Sequence, residues 1–228
     1  MTRTGWWSIA VVAVIVSGCS KPRDPAPRPA EQSSKTPATV GTGGAGANLS
    51  DDEFVHDVAL KNMAEIEFSR IALGKTANPT IKSFAQKTID DQNAAGRDLK
   101  NAVSGQTMEW PAQLDGKYKK ALDELAAAHG ADFDVEYVKA MIESQQDLAA
   151  KLESRLDVQS LADWKTAAAG RTDSKALPEP GTSLHDVRVR PSNSGNAVAM
   201  KINQWAADTY PVVQKQLDTA RTLKTAMK

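Results

Sequence analysis

The chain has 228 residues, enough for one good core, and its 28 Lys and Arg balance 28 Asp and Glu. That balance argues against nucleic-acid binding, which calls for a basic face. With 41% hydrophobic, 25% charged and only 5% aromatic residues, the composition is that of a globular protein and leans toward helix rather than sheet.

The first segment, MTRTGWWSIAVVAVIVSGCSKP, reads as an export signal. Arg3 supplies a basic start, Ile9 to Val16 an apolar run, and Val16-Ser17-Gly18-Cys19 a small-residue cleavage site. The apolar run is shorter than the about 20 residues that a spanning helix needs. Cys19 is the chain's one cysteine, so it has no internal disulfide partner. The last four residues resemble the lipobox of bacterial lipoproteins, in which the cysteine sulfur carries a diacylglyceryl group. Residues 1–18 are therefore expected to be a lipoprotein signal peptide and Cys19 the lipidation site. Residues 19–48, Pro-rich and then Gly-rich, have no aromatic residue and no apolar periodicity. They are expected to be a tether with an end-to-end distance of roughly 30 Å.

A folded domain is expected over 49–228. In LSDDEF, Ser50 and Glu53 make a capping box and Leu49 and Phe54 flank it. A first helix is expected to run to about Lys75. Asn78-Pro79 then restarts the chain, Asn as cap and Pro in the first turn. The second helix runs to about Val103, with Gly105 beyond it. The short link makes the two an antiparallel hairpin. In the long connection that follows, DGKYKKALDELAAAH reads as a short helix. A third long helix spans about Asp132 to Leu156. Residues 157–195 form an insert rich in turn formers, with LADWKTAAA as possible helix and LHDVRVR as possible brief strand. A fourth long helix spans about Asn196 to Thr225, and Pro211 within it is expected to kink or break it.

Each long helix carries a stripe at three- and four-residue spacing. The second shows Ile81, Ala85, Thr88, Gln92, Ala95 and Leu99; the third, Val138, Met141, Gln145, Leu148 and Leu152. On the fourth, Ile202, Trp205, Val213, Gln216, Ala220 and Leu223 align. The first helix offers two neighbouring stripes, one with Val58, Asn62, Glu65 and Ser69, the other with Ala59, Ile66 and Leu73, so Glu65 falls inside or at a seam. A buried amide without partners costs about 1–3 kcal/mol. Glu65, Gln92, Gln145 and Gln216 are therefore expected to meet in one central polar layer, Glu65 accepting and the amides both donating and accepting.

MAEIEFSRIALGKTANPTIKSFAQKTIDDQNAA, FDVEYVKAMIESQ and YPVVQKQLDTA resemble the bacterial family catalogued as domain of unknown function 4142. The resemblance implies an exported, all-α chain: a ferritin-like antiparallel four-helix bundle with a long connection between the second and third long helices. Members often carry histidines where this chain has Gln92, Gln145 and Gln216, while the acidic position is kept as Glu65. A Glu with three histidines would suit a transition metal; glutamine is a poor ligand. No metal, cofactor or catalytic residue is therefore expected. Glu53-x-x-His56 has di-iron spacing, but Glu53 serves the cap; His129 and His185 lie in or near connections. The acidic pairs Asp90-Asp91 and Glu65/Glu67 read as solvated faces before they read as acid–base pairs.

The sequence thus points to a lipoprotein held by its lipid in the bacterial envelope, expected at the outer membrane facing the periplasm. Its expected role is binding or envelope maintenance, with an envelope protein as possible partner and no nucleic acid. The alternatives are a ferritin-like metal-binding protein or oxidoreductase, and an adaptor that grips a partner through 157–195. Oligomeric state is not legible.

Overall fold

The structure, a computed structural model, describes residues 49–172 and 188–227. The signal peptide, Cys19, the tether to residue 48 and His185 lie outside the described residues. Six helices follow in order: α1 Asp51–Lys75, α2 Pro79–Ala102, α3 Gly116–Ala127, α4 Gly130–Glu153, α5 Val158–Thr172 and α6 Ala197–Ala226.

The helix starts are set by local chemistry. The Ser50 hydroxyl accepts from the Glu53 N–H at 3.3 Å while the Glu53 carboxylate accepts from the Ser50 N–H at 2.9 Å. This closes the capping box and satisfies donors that the first turn leaves over. Asn78 caps α2 through the N–H groups of Thr80 and Ile81, Asp115 caps α3, and Asn196 caps α6 through Val198 and Ala199. Past α2 the chain turns at Gly105, whose φ of 83° suits a residue without Cβ.

Four long helices pack as a ring: α1 on α2, α2 on α6, α6 on α4, α4 on α1. Their buried residues form two apolar clusters. One gathers Phe68, Ile81, Phe84, Tyr137, Met141 and Leu223. The other gathers Phe54, Leu99, Leu152, Ile202, Trp205 and Tyr210. Fully burying one such side chain contributes about 1.5–3 kcal/mol, so both ends have substance. Helices α1 and α6 run from the second cluster to the first; α2 and α4 run the other way. Ring neighbours are therefore antiparallel and diagonal helices parallel. The connection from α2 to α4 must travel the length of the bundle, and α3 is part of that return, packed on α1 and α4. This is the all-α bundle that the stripes and the resemblance imply.

Three local features go beyond the sequence reading. Helix α6 runs unbroken through Pro211. Buried Tyr210 and Val213 on either side hold the helix although one backbone N–H is missing. Residues 188–190 are not a strand; the backbone there makes an isolated antiparallel bridge between Leu156 and Pro191. The insert is also partly core. Val189 is buried, the Arg190 N–H donates to the buried Ser160 hydroxyl at 2.9 Å, and Trp164 of α5 meets Tyr210 edge-on at 5.3 Å. No helix among the described residues is long and apolar enough to cross a membrane.

Candidate functional site

Between the two apolar clusters lies a polar layer with a residue from every long helix. Glu65 of α1 and Gln145 of α4 are wholly buried; Gln92 of α2, Ser144 of α4 and Gln216 of α6 nearly so. Thus the inner stripe of α1 is the one with Asn62, Glu65 and Ser69, all buried, while Ala59, Ile66 and Leu73 are half-buried.

Glu65 is the hub. Its Oε1 accepts from the Ser144 hydroxyl at 2.6 Å. Its Oε2 accepts from Gln145 Nε2 at 2.7 Å and from Gln92 Nε2. The same Gln145 nitrogen donates to Gln216 Oε1 at 2.7 Å. Gln216 Nε2 then donates outward to Asp91 Oδ2 at 2.9 Å, and Lys87 closes on Asp91 at 2.9 Å. The structure therefore brings Glu65, Gln92, Gln145 and Gln216 into one connected network. Gln145 Oε1 accepts from no partner among the described residues.

Burial pushes the Glu65 carboxyl up from 4.5 to about 7; the hydrogen bonds from Ser144 and Gln92 and the charge of Lys61 pull the other way without winning. Lys61 itself is buried along its stem, with Nζ 3.2 Å from the exposed carboxylate of Asp147. A carboxyl poised this way can hold or release a proton near neutrality.

Sequence reasoning missed Ser144, Asp91 as the outer end of the layer, and Lys61. Ser144 and Asp91 each immediately precede a glutamine of the layer, a doublet that signals two adjacent polar positions turned toward one seam. The other candidates resolve simply. Glu53 is engaged by its cap, His56 Nδ1 lies 3.3 Å from the Glu109 carbonyl oxygen, and His129 precedes α4 without a side-chain cap bond. Exposed Asp90 accepts from Gln86, and Glu67 pairs with Arg70.

The family model described as domain of unknown function (DUF4142) matches residues 36–174. The chain belongs to that family. The DUF4142 match takes in α1 to α5 and stops short of α6, so Gln216 lies beyond it while Glu65, Gln92 and Gln145 lie within. No curated protein and no solved structure matches the chain.

A resident transition metal does not fit the residues of this DUF4142 layer. Both Glu65 oxygens already accept hydrogen bonds, and the amide nitrogens turned toward them carry N–H groups, not lone pairs. Carboxamides are weak ligands for such ions in any case. Among the described residues no three His, Cys, Asp or Glu gather closely enough to hold a metal ion.

Proposed function

We propose that this DUF4142 chain is a bacterial envelope lipoprotein: a lipid on Cys19, a tether over 19–48, and a helical bundle over 49–228 that binds rather than catalyses. The observation that carries the reading is the position of the lone cysteine, at the end of Val16-Ser17-Gly18-Cys19 and directly after a short apolar run. In this reading the bundle is held at the outer membrane, facing the periplasm, where it meets a ligand or an envelope protein. Both Glu65 oxygens are taken up by hydrogen bonds within the layer, which speaks against a metal-based redox role for it. Two or more acyl chains hold a protein stably on a bilayer, at about 0.8 kcal/mol per buried CH₂.

The test is metabolic labelling with a clickable fatty acid, followed by membrane fractionation. Wild-type protein takes up the label and sediments with membranes, and Cys19→Ala loses both properties. Label retained in Cys19→Ala removes this attachment site. Elemental analysis of the same wild-type sample addresses the rival reading. Stoichiometric iron, copper, zinc or manganese would replace the binding role with a metalloprotein role.

A further inference from the structure

A cavity of about 270 Å³ lies where α3 packs on α1 and α4. At this size it suits a guest smaller than the drug-sized molecules that fill pockets of about 300–1,000 Å³. Phe68, Ala121 and Ala140 give it an apolar wall, one residue from each helix. From α4, Ala140, Glu143, Ser144 and Asp147 line it at three- and four-residue spacing, so a single helix face is turned to it.

Two donors in its lining are not used up. Lys61 is 3% exposed, and it is the one buried lysine or arginine among the described residues. Its ammonium carries three N–H groups, yet among the described residues it makes one hydrogen bond, at 3.2 Å to the exposed carboxylate of Asp147. Tyr118 is 9% exposed, with Lys61 Nζ 5.6 Å from its ring centre. Its hydroxyl makes no hydrogen bond among the described residues and, unlike the Asn62 amide nitrogen, is not shut off from solvent, so a guest can reach it. Burial pushes the phenol up to about 12, which keeps it a donor near neutrality. Ser144 spends its proton on Glu65 at 2.6 Å, so Lys61 and Tyr118 are the donors left for a guest.

The charges around the cavity give the guest its class. Two lysines, Lys61 and Lys117, and two acids, Glu143 and Asp147, line it. Asp147 takes both lysines, at 3.2 and 3.7 Å. Exposed Glu143 has no cationic partner among the described residues; Lys139, one turn before it, pairs with Glu136 instead. A plain anion would meet the two donors but also two acids, and a plain cation would meet Glu143 but also the buried ammonium of Lys61. A guest with a carboxylate at one end and an ammonium at the other matches both sets. Glu65, behind Ser144, keeps its proton below about 7 and so does not oppose a carboxylate there.

We propose that the cavity between α1, α3 and α4 binds a short-chain amino acid as its zwitterion. The carboxylate is taken by the Lys61 ammonium and the Tyr118 hydroxyl, the ammonium by Glu143, and the methylenes pack against Phe68, Ala121 and Ala140. Hydrogen bonds between ionised partners are the stronger kind, and a cavity that is partly closed screens them less than open water does. The inference rests on the binding role proposed above and gives it a site. It does not depend on the lipid, so failure of the labelling experiment and failure of this one are separate results.

γ-Aminobutyrate is the probe, with butyrate and butylamine as analogues that each lack one charged end. All three are titrated into the purified full-length protein, below the Glu65 midpoint, and followed by calorimetry. The expected result is saturable binding of γ-aminobutyrate, about tenfold or more tighter than either analogue. Glu143→Gln should remove the advantage over butyrate and leave the affinity for butyrate itself unchanged. Tyr118→Phe, which keeps the ring and removes the hydroxyl, should weaken γ-aminobutyrate about tenfold or more. No saturable binding, equal affinity for the three compounds, or an affinity for γ-aminobutyrate unchanged in either variant would overturn the proposal. Because Glu143 is exposed, its variant decides the matter even if Tyr118→Phe proves poorly folded.

Discussion

Asn62 and Glu65 sit one turn apart on the same face of α1, and both are buried. Glu65 receives a hydroxyl and two amide nitrogens from two other helices. The Asn62 nitrogen donates to no partner among the described residues and lies beside Gly96. The difference separates two uses of a polar residue inside a bundle. In the central layer, all but the Gln145 Oε1 acceptor among these groups satisfy one another, and the network joins four helices. Beside it, the Asn62 nitrogen is enclosed without an acceptor among the described residues, where α1 meets Gly96 of α2. A connected network rigidifies, whereas an unpaired buried donor carries its desolvation penalty in the folded state.

The contrast can be broken most sharply at Glu65. Glu65→Ala strands the Ser144 hydroxyl and two amides and opens a cavity among them. Urea unfolding at about pH 5 should show a loss of about 3–5 kcal/mol. A loss under about 1 kcal/mol would mean that the layer is not a unit. Gln92→Leu is a gentler break, since Glu65 keeps Ser144 and Gln145. It should lose about 1–2 kcal/mol by the same assay despite the added apolar surface. A neutral or stabilising result would show that Gln92 can leave the layer freely. On the Asn62 side the sign reverses. Gly96→Ala puts a methyl in ordinary contact with Asn62 and improves the helix, so it should add about 0.5–1 kcal/mol of stability. Destabilisation there would show that the α1–α2 seam is as tightly packed as the layer.

Much of this was legible in the sequence, because caps and periodicity are local. Ser50 with Glu53, Asn78 with Pro79, and Asn196 mark helix starts by side chains that reach only two or three residues. The stripes through Gln92, Gln145 and Gln216 fell on buried faces for the same reason. On α1 two stripes competed because Ala59 and Ile66 line the cleft between α1 and α2 and are neither core nor surface. Periodicity records apolarity and cannot tell a cleft wall from a core wall. The role of Ser144 was hidden because it sits beside the stripe, and its contact with Glu65 joins residues 79 positions apart. The attachment of the insert was hidden for a related reason. Its attachment runs through backbone groups, Asp157 N–H to the Arg190 carbonyl at 2.9 Å and Ser192 N–H to the Arg155 carbonyl at 2.8 Å, which no side-chain pattern announces. The unpaired Asn62 amide opposite Gly96 needed the register of α1 against α2, which only the packed structure supplies.

The account rests most on Glu65 being a buried carboxyl held by neutral donors. Its folded pKa is raised above the unfolded value, from 4.5 to about 7. Between those values the folded chain keeps a proton that the unfolded chain has released. The stability contributed by this group is therefore full below 4.5, falls as pH rises to about 7, and is flat beyond. The fall amounts to about 3 kcal/mol. The direct measurement is the carboxyl carbon shift of Glu65 followed by NMR against pH, assigned by its absence in Glu65→Gln. A midpoint near 7 is the predicted result. A midpoint at or below 4.5 would contradict the account, because it would show that the hydrogen bonds from Ser144 and Gln92 and the charge of Lys61 outweigh burial.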